Sequence, residues 1–164
     1  MKSATVDTSP AAEHAAIAIT KILVPTDFSS ASEKAFSYAL RFAQELGSQI
    51  ALLHVLEPAA VSAFESLPPV CTEELKANAE ENLRALVNSA RAASVNRIGS
   101  TMRSGIAAHQ IVEVAKELDV DLVVIATHGF TGWKHFAIGS TAERVARAAP
   151  CPVLVVREKE HDFL

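Results

Sequence analysis

The residues best suited to chemistry lie in two short stretches. In the first, Ala126-Thr127-His128-Gly129 is followed, after nine residues, by Gly139-Ser140-Thr141. The apolar run Leu122-Val123-Val124-Ile125 ahead of it reads as a buried strand, and Ser140 to Ala149 behind it reads as a short helix. The first amides of a helix have no partner within the helix, so a loop running from a strand end into a helix start exposes them. Their partial positive charge suits a phosphate. Gly139 lets the backbone come close to such a ligand without a Cβ in the way, and Ser140 and Thr141 add hydroxyls. A purely structural reading fits the same residues. Ser140 precedes Glu143 by three, which is the spacing of a capping box.

The second stretch is Pro25-Thr26-Asp27, which closes the apolar run Ile22-Leu23-Val24. Asp27 is placed either to serve a ligand or to cap or charge the start of the next helix. Other phosphate motifs are absent: no Gly-x-x-x-x-Gly-Lys-Ser/Thr occurs, and no Gly-x-Gly-x-x-Gly follows the first strand. His54 interrupts an apolar strand and reads as a satisfied core histidine, because a single His makes no metal site. His128 and His135 have no paired nucleophile or carboxylate at catalytic spacing. Lys134 reads as a solvated loop lysine before it reads as a phosphate contact, and Trp133 as a loop anchor or an exposed contact. Cys151, between Pro150 and Pro152, reads as packing.

Strands and helices alternate to hold these loops. Lys21 to Pro25 is a strand. Ser30 and Glu33 have capping-box spacing, and Phe36, Ala39, Leu40, Ala43 and Leu46 form the apolar face of a helix that Gly47 ends. Ile50 to Leu56 is a second strand. Glu57 to Val70, with Pro58, Pro68 and Pro69, is a loop or a broken segment. Thr72 to about Ala93 is helical, with Leu75, Ala79, Leu83, Leu86 and Ala90 aligned. Arg97 to Arg103 is a weaker third strand, Ile106 to Leu118 a helix facing inward through Ala107, Ile111, Val114 and Leu118, Asp121 to Thr127 a strand, and Pro152 to Val156 the last strand. This alternation predicts an α/β fold, an open five-stranded parallel sheet with helices on both faces. Ligands of such sheets bind beyond the carboxyl ends of the strands, where the strand order reverses. The two stretches above occupy that kind of position. The chain divides into a leader at 1–20, a single domain at 21–158 and a tail at 159–164.

Composition narrows the function classes. The chain has 164 residues, 49% apolar and 21% charged, and a net charge of −4. The mix can build a core, and the acidic balance argues against nucleic-acid binding. No apolar run reaches the roughly 18 residues of a spanning helix, so no membrane is expected. Glu13 and His14 break the leader as a secretory signal, and Cys71 and Cys151 are too few for a disulfide scaffold. A cytoplasmic location follows as the expectation.

From about Thr20 to Arg157 the chain resembles the universal stress protein family, its nucleotide-binding branch in particular. The resemblance rests on Val124-Ile125-Ala126-Thr127-His128-Gly129, then Gly139-Ser140-Thr141-Ala142-Glu143, Pro150-Cys151-Pro152-Val153-Leu154-Val155-Val156, Ile22-Leu23-Val24-Pro25-Thr26-Asp27-Phe28-Ser29 and Leu53-His54-Val55. The family's ATP pattern is Gly, two residues, Gly, nine residues, Gly and Ser or Thr. Ala126 stands at its first glycine position, and Gly129, Gly139 and Ser140 fill the rest; Gly132 is an extra glycine within the loop. The resemblance implies a Rossmann-like fold of the adenine nucleotide alpha hydrolase kind. It implies that Gly129, Gly139, Ser140 and Thr141 hold phosphates, with Ala126, Thr127, His128 and Gly132 among the cofactor-binding residues. Pro25, Thr26 and Asp27 would line the adenosine end, and Val55 would meet the adenine. A carboxylate beside ribose hydroxyls accepts hydrogen bonds, whereas beside phosphates it repels. The implied function is that of an ATP-binding stress-response regulator with little or no hydrolysis. Magnesium or manganese would bridge the phosphates, and a homodimer would form through the edge strand at 152–156. The alternatives are an interaction module of the same family that binds no nucleotide, favoured by Ala126, and a slow ATPase.

Overall fold

The computed structural model describes residues 18–57, 69–127 and 138–157. Its elements run β1 (Lys21–Pro25), α1 (Ser30–Leu46), β2 (Gln49–Leu56), α2 (Pro69–Ala92), β3 (Ile98–Ser104), α3 (Ala107–Glu117), β4 (Leu122–Ala126), α4 (Ser140–Ala148) and β5 (Val153–Val156). The five strands form one sheet in the order β3-β2-β1-β4-β5, with every pairing parallel. The parallel sheet is the one the alternation of elements predicts, and its strand order reverses between β1 and β4.

The continuous apolar runs arise because both faces of the sheet are covered. Ile22 and Val24 of β1, Ile50 and Leu52 of β2, and Leu122 and Val124 of β4 face one layer, built by Phe36 and Ala39 of α1 and Leu83 and Ala90 of α2. Leu23, Leu53, Val123 and Ile125 face the other, where Ile111 and Val114 of α3 and Val145 of α4 pack. Burying one of these side chains is worth about 1.5–3 kcal/mol, so the central strands are the most firmly held platform in the molecule.

Several local expectations are corrected. The cap of α1 is Ser29, not Ser30: its side chain accepts from Ser32 N at 3.3 Å. Phe28 has φ 65°, and this left-handed turn brings Ser29 into extended backbone and Ser30 already into the helix. Leu46 is 47% exposed, since it sits in the last turn, where the chain turns back through Gly47. Leu75 is 38% exposed. The 24 residues of α2 span roughly 36 Å and the seven of β3 roughly 23 Å, so the first turns overhang the sheet. That helix starts at Pro69, three residues before the expected Thr72, and proline suits a first helical turn.

The ends of the sheet opposite the loops are pinned by Asp121. Its carboxylate accepts from Thr20 N at 2.7 Å, Thr20 Oγ1 at 2.7 Å and Lys21 N at 2.9 Å. These bonds, the Thr20 hydroxyl's foremost, hold its pKa below the usual carboxylate value.

Candidate functional site

β1 and β4 are neighbours, with Leu23 opposite Val123, so their carboxyl ends at Pro25 and Ala126 lie side by side. The helices that follow them, α1 and α4, pack on opposite faces of the sheet.

On the β1 side, Pro25 and Thr26 are buried and Asp27 is half-exposed. The Thr26 hydroxyl receives Phe28 N at 3.0 Å and lies 3.1 Å from the Ser32 hydroxyl. One Asp27 oxygen, Oδ1, accepts from Ser29 N at 3.1 Å and Ser29 Oγ at 2.6 Å. Asp27 therefore does not cap α1; it holds the residue that does. Ser29, which the sequence shows only as part of a motif, and Ser32 complete this web. The Ser-x-x-Ser spacing was visible but cannot be told from ordinary helix-start serines.

Val55 belongs to the same end. The β1–β2 ladder stops at Pro25 opposite Leu53, while β2 continues along β3 to Leu56 opposite Ser104. Odd-numbered residues of β2 turn their main-chain groups toward β1, as Gln49 N to Thr20 O and Thr26 N to Leu53 O show. The N–H and C=O of Val55 thus point past the end of β1, and no described residue bonds to either. Beyond Val55, Glu57 reaches Ala107 N at 3.0 Å. It satisfies the start of α3, where Ile106 offers no side-chain cap.

On the β4 side, Ala126 pairs with Val156 and packs its methyl against the α1/α2 layer. Thr127 is buried; its N–H donates to Val156 O at 2.9 Å and its carbonyl accepts Gly139 N at 2.7 Å. The two ends of the connecting loop are therefore stitched together. His128, Gly129 and Gly132, with Trp133, Lys134 and His135, lie outside the described residues.

One reading of the helix start, Ser140 as its cap, is corrected here. Gly139 has φ −59° and ψ 149°, a conformation open to any residue, and its own amide is spent on Thr127. It does not bare its N–H to a ligand. Ser140 is not the cap. Gly139 occupies that position with no side-chain capping bond, and Glu143 pairs with Arg147 at 2.7 Å instead of reaching back. The first amide to enter the helix ladder is that of Glu143, which donates to Gly139 O. The N–H groups of Ser140, Thr141 and Ala142 have no acceptor among the described residues, and Ser140 is exposed. A row of three such amides at a positive helix end can bind an anion.

Helix-start donors beyond β4 and a main-chain donor–acceptor pair beyond β2, both without partners among the described residues, suit a ligand with an anionic end and a flat, hydrogen-bonding end. Among the described residues no group of three or more His, Cys, Asp or Glu side chains is placed to hold a metal, and no helix is long and apolar enough to cross a membrane. A separate cleft of about 340 Å³ lies between α2 and the start of β3, lined by Arg84, Val87, Asn88, Arg91 and Ile98 among others. It shares no residue with the site beyond β1, β2 and β4.

Residues 18–157 match the sequence profile of the universal stress protein family. A universal stress protein of Methanocaldococcus jannaschii is 35% identical over 147 residues, which cover 87% of this chain and 84% of the relative. The structure of the universal stress protein UspA from Lactobacillus plantarum superposes with a TM-score of 0.75 at 31% identity, covering 86% of this chain and 99% of that one. A universal stress protein solved in complex with cAMP shares the fold, with a TM-score of 0.67 at 24% identity over 87% of this chain and all of its own.

Proposed function

The chain belongs to the universal stress protein family, and from that premise we propose that it is an ATP-binding member, a nucleotide-dependent regulator with little or no hydrolysis. The observation that carries this reading is the row of amides at Ser140, Thr141 and Ala142 that have no acceptor among the described residues, at the start of the helix that follows β4. In this reading the phosphates lie on those amides and on the hydroxyls of Ser140 and Thr141. The base lies against the main chain of Val55, and Asp27, with Pro25 and Thr26 behind it, serves the ribose. Thr127 sets the spacing of the loop through its bond to Gly139. By the family resemblance Gly129 would also hold the phosphates, and His128 and Gly132 are further cofactor-binding candidates; all three lie outside the described residues. A fold relative in complex with cAMP supports an adenine nucleotide as the class.

Binding here is a task of positioning. The chain supplies fixed N–H donors, whose dipoles need no rearrangement when the phosphate arrives. Magnesium or manganese, when bound, would neutralise charge on the phosphates. The described residues offer no acidic cluster for it, so the phosphates would have to carry it. Asp27, the carboxylate at this end of β1, is engaged by Ser29, which gives two bonds to its Oδ1. Hydrolysis is therefore expected to be slow or nil.

Ala126 favours a second reading, an interaction module that binds no nucleotide. Its methyl turns into the α1/α2 layer, which weakens that objection. A thermal-shift titration separates the two. At ATP one hundred times its Kd, stabilisation is about 2.7 kcal/mol, or a rise in Tm of roughly 5–10 °C for a chain of this size. An unmoved Tm at millimolar ATP favours the interaction module.

A further inference from the structure

His54 stands one residue before Val55 on β2, and its ring does something a packed core histidine need not do. Its Nδ1 lies 2.9 Å from the carbonyl of Thr26. A carbonyl only accepts, so Nδ1 carries the proton and donates. The ring also stacks on Phe28, with centroids 4.5 Å apart and planes 28° from parallel.

The Thr26 carbonyl is the acceptor that the parallel ladder would use next. After Thr26 N to Leu53 O, the following rung would be Val55 N to Thr26 O, and the one after it Phe28 N to Val55 O. Neither rung forms. His54 takes the Thr26 carbonyl, and the Thr26 hydroxyl takes Phe28 N at 3.0 Å. Phe28, at φ 65°, turns the chain away from β2. Two side chains therefore divert both groups that would have sealed Val55 into the sheet.

We propose that His54 is a positioning residue for the nucleotide: it ends the β1–β2 ladder early and so keeps the main-chain N–H and C=O of Val55 turned to the base. The inference rests on the proposed nucleotide site for its consequence, but its cause is readable in the ligand-free chain. In His54→Phe the ring and its stack on Phe28 remain while the donor is lost, so the Thr26 carbonyl becomes available to Val55 N. In His54→Asn the amide nitrogen stands near the place of Nδ1 and restores the donor.

Amide hydrogen exchange on the nucleotide-free chain, read with ATP titration by calorimetry, tests this. The Val55 amide should exchange fast in the wild type and in His54→Asn, and about tenfold or more slowly in His54→Phe. The affinity for ATP should fall about tenfold in His54→Phe, the factor equivalent to about 1.4 kcal/mol, and recover in His54→Asn. A Val55 amide that exchanges alike in wild type and His54→Phe overturns the proposal, as does undiminished ATP affinity in His54→Phe. If His54→Phe does not fold, the wild type decides alone: a Val55 amide as protected as that of Leu53 refutes it, and a fast one upholds it. If the wild type binds no ATP, the reading of the nucleotide site fails, while the exchange result still judges the role of His54.

Discussion

Ser29 and Ser140 both open a helix and both precede a partner by three residues, yet only one is used as a cap. Ser29 accepts from Ser32 N and is itself held by Asp27. Ser140 is the first residue inside its helix, and its hydroxyl bonds to no described residue. Ser29→Ala should therefore cost about 1 kcal/mol in urea unfolding. Ser140→Ala should change stability by less than about 0.5 kcal/mol and lower ATP affinity instead. Spacing alone could not separate these serines, because a cap depends on backbone angles one residue earlier. The positive φ of Phe28 shifted the α1 cap by one position, and nothing in a phenylalanine announces it. His54 was legible as a satisfied histidine, but its acceptor was not, since Thr26 is brought to it only by strand pairing.

At the scale of elements, the strands were the most legible feature. Val123 and Val124 are both fully buried, on opposite faces, which is why β4 reads as an unbroken apolar run. The helix ends were less legible: Leu46 and Leu75 keep the apolar spacing yet project beyond the sheet. The pinning of β1 to β4 by Asp121 was not legible at all, because its partners Thr20 and Lys21 lie about a hundred residues away in sequence. That contact has a pH signature. Asp121 has a folded-state pKa below its value of 3.8 in an unfolded chain. Its contribution is thus complete above that value and is lost as pH falls through the lowered folded pKa. Between pH 7 and 5, Asp121→Asn and the wild type should lose stability in parallel. Below about pH 4 the wild type should lose more, so that the gap between their urea midpoints narrows. A gap that stays constant down to pH 2 would contradict this role.

At the scale of the whole molecule, the sheet of the described residues has β3 and β5 at its edges. Along β5, Val153, Leu154 and Val155 are only half-buried, although each is apolar. An apolar edge with unused main-chain groups invites a second strand. We expect a homodimer through residues 152–156. Light scattering at micromolar protein should give twice the 17.5 kDa chain mass; a monomeric wild type would refute the interface. The global topology was legible because alternating strands and helices leave few arrangements open. The crevice between β1 and β4 followed from it, whereas its working groups did not. The groups we propose for that role are main-chain N–H groups at Ser140, Thr141, Ala142 and Val55, and main-chain groups leave no mark on a sequence beyond the glycine or hydroxyl nearby.

Calorimetric titration of ATP into the wild type and into Gly139→Val tests the central claim most directly. Gly139 has backbone angles that any residue adopts, so the variant should fold, as circular dichroism would check. The expected result is one ATP bound per wild-type chain and an affinity lower by about tenfold or more in the variant, where the added side chain crowds the amide row. No heat from the wild type at millimolar ATP, or equal affinity in the two proteins, would contradict the account.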